Sequence, residues 1–65
     1  MKWVMVYSST QLGLAEIIKA MLVENEIDAV TLNKKDSSYL LGEVEVFVKP
    51  DDVIMAKQLI SKHNS

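Results

Sequence analysis

The run Val44-Glu45-Val46-Phe47-Val48 alternates without a break and leads at once into Lys49-Pro50-Asp51-Asp52. Successive side chains of a strand point to opposite faces. The period therefore sets Val44, Val46 and Val48 on one side and Glu43, Glu45, Phe47 and Lys49 on the other, with a strand expected over Glu43 to Lys49. Such a strand needs a layer over its valine face and leaves the other face mixed. The two carboxylates that follow could belong to a metal site, an acid/base pair or a helix start. Proline suits the first helical position, where its missing N–H is not needed. Asp51 and Asp52 then fall in the first turn, where carboxylates interact well with the helix dipole. The helix start accounts for their type, their place and their neighbours, and we adopt it.

Elsewhere the same reasoning gives four more segments. Trp3 to Tyr7 is rich in β-formers and bounded by Ser8-Ser9-Thr10, so it reads as a strand. Thr10 or a neighbouring serine is expected to cap the helix that follows. Leu14, Ile17, Ile18, Met21 and Leu22 have the spacing of a buried helical stripe, with Glu16, Lys19 and Glu24 in solvent. The helix should end near Asn25-Glu26, with Asn25 in the left-handed conformation. Ile27 to Asn33 reads as a second strand. Lys34 to Gly42 is a polar connection with Asp36-Ser37-Ser38 as its turn signal. In the last helix Val53, Ala56, Leu59 and Ile60, helped by Met55, form the buried stripe, and Lys57, Lys62 and His63 lie toward its C-terminal end.

Strand, helix, strand, strand, helix is one domain over residues 1–65. A right-handed crossover should join strands one and two, and a hairpin should join two and three. The expected product is a two-layer α+β sandwich with both helices on one face and strand order 1-3-2. It is a ferredoxin-like β-α-β-β-α arrangement without its last strand.

Composition narrows the chemistry. No cysteine is present among 65 residues, which removes disulfides, thiolate metal sites and cysteine nucleophiles. The net charge is −2, arginine is absent, and Lys34-Lys35 is the sole basic doublet, so nucleic acid is not the expected partner. Five apolar residues near the N-terminus are too few for a signal peptide or a membrane span, which predicts a soluble cytoplasmic protein. The one histidine, His63, is three residues from the end. Nothing activates the Ser8-Ser9-Thr10 hydroxyls, and Gly13 and Gly42 make no phosphate loop. We expect no enzyme, no cofactor and no metal.

With helices on one face, the other face of the sheet is open. Val4 and Val6 are the natural inward pair on strand one, so Trp3, Met5 and Tyr7 should point outward beside Phe47; the reverse register, with Trp3, Met5 and Tyr7 buried, is the alternative. An exposed patch of this kind marks a contact surface. Strand one is also an uncovered edge. Both features predict a homodimer, through the sheet face or the strand-one edge, or an unidentified protein partner. A fold-back of the terminal segment after Ser61 over the patch is the competing expectation.

The pieces "VYSST", "ENEIDAVTLN", "GEVEVFV" and "KPDDVIMAKQLI", in this order and spacing, resemble the family of putative prokaryotic signal-transducing proteins of unknown function. That family is similar in fold to the PII nitrogen-regulatory proteins. The resemblance implies a ferredoxin-like sandwich in a bacterial cytoplasm and carries over no catalytic residue. PII proteins bind nucleotides with a long loop between the second and third strands and with basic residues. Here the loop is short, and Lys34 and Lys35 are the residues left to meet a phosphate. Two functions follow as expectations. One is a non-enzymatic regulatory or protein-interaction module. The other is a sensor of a nucleotide or metabolite.

Overall fold

The computed structural model describes residues 2–34 and 43–64. Lys35, the Asp36-Ser37-Ser38 turn signal and Gly42 lie outside the described residues. The elements are β1 (Val4–Ser9), α1 (Leu12–Glu24), β2 (Ala29–Asn33), β3 (Val44–Val48), a 3-10 turn over Pro50–Asp52, and α2 (Val53–Asn64). The sheet order is β1-β3-β2, with β3 antiparallel to both neighbours. This is the expected α+β order, and it is consistent with a ferredoxin-like arrangement.

β3 organises the core as its alternation predicts. Val44, Val46 and Val48 are fully buried. They meet Ala15, Ile18 and Leu22 of α1, Ala56 and Ile60 of α2, and Ile27 and Ala29 at the start of β2. Each of the larger side chains contributes about 1.5–3 kcal/mol by leaving water. Since all three valines share one face, both helices cover that face. α2 runs through Asn64, so the chain after Ser61 continues this helix and does not fold back over the sheet.

The stripe on α1 is rotated from the expected one. Ala15, Ile18 and Leu22 are buried and Met21 is half-buried, whereas Leu14 and Ile17 face solvent. Ala15 has no side chain beyond Cβ, so choosing it lets the helix sit close on the sheet. Met55 on α2 is likewise exposed.

Both helix ends differ in detail from expectation. Neither Thr10 nor a serine caps α1: Gln11 is the N-cap residue and has no side-chain cap. The Ser9 hydroxyl instead accepts a hydrogen bond from the Gln11 N–H at 3.0 Å, bracing the strand-to-helix turn. At the C-terminus, Asn25 has φ −96° and Glu26 takes the left-handed conformation at φ 65°. The Ile27 N–H donates to the Leu22 carbonyl and the Glu26 N–H to the Val23 carbonyl, each at 3.0 Å. That pair of bonds is a Schellman motif, completed by the buried contact of Ile27 with Leu22. Asn25 supports it differently, its side-chain amide donating to the Met21 carbonyl at 2.8 Å.

Pro50 opens a 3-10 turn rather than α2 itself. The Asp52 N–H donates to the Lys49 carbonyl at 2.9 Å, and Asp51 and Asp52 stand at the head of the helix that follows.

Candidate interaction surface

The register across the three strands shows what the helix-free face carries. Met5 of β1 and Val30 of β2 both pair with Phe47 of β3. Phe47 alternates with the buried valines, so this row lies on the open side. In the next row Ser8 and Leu32 flank Glu45. Trp3, one step before Val4, falls on the same side as Met5. Trp3 is 38% exposed, Met5 46%, Val30 39% and Leu32 47%, with Phe47 half-buried between them.

Tyr7 is not part of this face. The register of β1 slips between Met5 and Tyr7, and Val6 is the extra residue of a β-bulge. The bulge reverses the alternation that follows it. Tyr7 pairs with the buried Val46 and, with Val6, packs half-buried against the core. Of the four aromatic and methionine residues expected outside, Trp3, Met5 and Phe47 are brought together, and Tyr7 is turned under the helices.

Val30 and Leu32 are residues that the sequence reading missed. Their signal was present, because Ile27 and Ala29 fix the inward parity of β2 and leave Val30 and Leu32 outside. A strand with apolar residues of both parities does not announce a second buried face, and the outward pair passes as ordinary strand composition.

Two ion pairs stand at opposite ends of this face, and exposed Glu43 follows beyond Glu45 in the same alternation. Lys34 Nζ lies 3.3 Å from Glu45 Oε1. Lys49 Nζ donates to Asp28 Oδ2 at 2.8 Å. The hydrogen bond to Asp28, together with the negative charge of that carboxylate, raises the Lys49 pKa above its ordinary 10.5. Lys34, Asp28 and Lys49 are open to solvent and Glu45 is half-buried, and ion pairs this accessible to water contribute little to stability. Both neutralise the rim of an otherwise apolar patch.

The other residues singled out in the sequence do not converge. Lys34 is engaged with Glu45, and Lys35 lies outside the described residues. Exposed His63 sits in the last turn of α2. Among the described residues no three His, Cys, Asp or Glu side chains stand close enough to hold a metal ion. Two shallow depressions, lined by Glu16, Lys19, Ala20, Val23 and Glu24 and by Lys57, Gln58, Ser61 and Lys62, lie along single helices and open widely to solvent. Among the described residues no helix is long and apolar enough to cross a membrane.

No curated protein and no solved structure matches this chain. A family model does. It is described as "Putative prokaryotic signal transducing protein", it matches residues 3–64, and the chain belongs to that family.

Proposed function

We propose that this chain is a non-enzymatic, cytoplasmic protein-interaction module with a regulatory role, and that it meets its partner protein through the open face of its sheet. The observation behind this reading is the continuous apolar surface of Trp3, Met5, Val30, Leu32 and Phe47 on the side without helices. Apolar side chains scattered singly over a surface carry no message, but a contiguous patch with a polar rim does. The family description, a signal-transducing protein, accords with a domain that acts by contact. The alternative, a nucleotide or metabolite sensor in the PII manner, would rest on Lys34 and Lys35, and the Lys34–Glu45 pair gives it no support.

A photo-crosslinking side chain at Val30, compared with one at Ile54 on the outer surface of α2, tests the proposal in the native host. Ile54 is 75% exposed and serves as the control. A protein adduct from position 30 and none from position 54 is expected. No adduct from position 30, or equal adducts from both, would overturn the reading.

A further inference from the structure

We infer that the occupant of the open sheet face is a second copy of this chain, stacked face to face about a two-fold axis that runs along the Met5–Phe47–Val30 row. The inference rests on the reading of that face as a contact surface and adds the identity and orientation of the partner.

Charge placement carries it. Along the centre of the face the order is Lys49, Phe47, Glu45, with one charge of each sign two residues to either side of the aromatic ring. Each central charge has its partner toward β2. Lys49 is paired with Asp28, which immediately precedes β2, and Glu45 with Lys34, which immediately follows it. One end of the face is therefore positive at β3 and negative at the β2 side, and the other end is the reverse.

A face-to-face pair of identical sheets has its two-fold axis in the interface plane. Two orientations keep the strands aligned, as stacked sheets prefer. An axis along β3 sets Lys49 on the partner's Lys49 and Glu45 on the partner's Glu45, like charge on like. An axis across the strands through Phe47 sets Lys49 over the partner's Glu45 and Asp28 toward the partner's Lys34. All four charges then meet their opposites. In this second orientation Phe47 stacks on its copy, and bulky Trp3 lies over the partner's small Ser8. Electrostatic complementarity of this kind fixes register and rejects the wrong orientation.

The face, not the β1 edge, is the surface that fits. The bulge at Val6 kinks β1, and bulges are a device that blunts an edge against pairing. Size sets the strength. Three strands about 4.8 Å apart and five residues of about 3.3 Å rise give a footprint of roughly 14 by 17 Å. That lies below the roughly 800 Å² per partner of a standard interface, so the dimer is a dissociating one, with a Kd in the micromolar range or weaker.

Charge reversal tests the arrangement. Solution mass is measured by light scattering at low salt, from about 1 µM to about 1 mM, on wild type, Glu45→Lys, Lys49→Glu and an equimolar mixture of the two variants. Wild type is expected to dimerise. Glu45→Lys places two positive charges opposite two positive charges, and Lys49→Glu two negative opposite two negative. Each variant alone should dimerise at least roughly tenfold more weakly. The mixture should recover the dimer, because each interface position then faces its opposite. Loss of the intramolecular pairs alone would predict no recovery. A monomeric wild type, or single variants that dimerise as wild type does, overturns the inference. The reading of the face as a contact surface fails separately, when position 30 gives no adduct; an adduct with a different protein keeps that reading and refutes the second copy.

Discussion

Val46 and Phe47 are chain neighbours on opposite faces of β3, and replacing each by alanine in turn should separate core from contact surface. Val46 is fully buried among Ile18, Leu22 and the other core residues. Val46→Ala removes two methyl groups, about 1.6 kcal/mol by transfer, and leaves a cavity that adds roughly 1 kcal/mol where the core does not collapse. The total of about 2–3 kcal/mol is a large share of the roughly 3–10 kcal/mol expected for 65 residues. Phe47 is half-buried and makes cross-strand contacts with Met5 and Val30, each worth about 0.2–1 kcal/mol. Phe47→Ala should therefore cost about 1 kcal/mol in the monomer. Urea unfolding at about 1 µM protein, where a weak dimer has dissociated, measures both. Repeated at about 100-fold higher concentration, wild type and Val46→Ala should gain stability, and Phe47→Ala should not. A Phe47→Ala variant as damaged as Val46→Ala at low concentration would refute the assignment of faces.

The remaining predictions address particular contacts. Glu26 holds a left-handed conformation that costs a non-glycine residue about 1–2 kcal/mol. Glu26→Gly should relieve it, less the entropy that glycine adds to the unfolded chain, for a net gain of about 0.5–1 kcal/mol and a Tm several degrees higher by calorimetry. Because the bulge turns Tyr7 inward, Tyr7→Ser should destabilise the dilute monomer by about 1–3 kcal/mol, while Met5→Ser, which loses its cross-strand contact with Phe47, should cost at most about 1 kcal/mol. Lys49 has a raised pKa in the folded state, so its contribution is fully present below 10.5 and is lost as pH rises through the folded value. Lys49→Met should flatten the alkaline side of the stability–pH curve and leave its slope near neutral pH unchanged.

How far the sequence revealed this molecule depended on how many patterns each segment allowed. β3 permits one: valines in alternation, polar or aromatic residues between, and Pro50 as the stop. Its position at the centre of the sheet and its buried face followed directly. α1 permits two. Leu14, Ile17 and Met21 compete with Ala15, Ile18 and Leu22 for the core, because apolar residues occupy so many of its positions. A stripe containing alanine loses on hydrophobicity and wins on how closely the helix can approach the sheet, which only the packed structure decides.

β1 concealed its bulge for a related reason. Val4-Met5-Val6-Tyr7 is apolar at both parities, so no pattern marks the place where the alternation reverses. Part of the candidate surface was legible: Phe47 follows from the parity of β3, and Trp3 and Met5 follow once Val4 is taken as inward-facing. Val30 and Leu32 needed the pairing of β2 with β3, and the opposed ion pairs needed partners far apart in sequence, such as Asp28 and Lys49.

The most direct test of the central claim uses Trp3, the single tryptophan, which lies on the open face. Acrylamide quenching of its fluorescence is measured across a dilution series from about 500 µM to about 1 µM, a range that spans a micromolar Kd. If a second copy covers the face, Trp3 is shielded at high concentration and becomes accessible on dilution along a single binding curve. Quenching that is the same at every concentration would contradict the account.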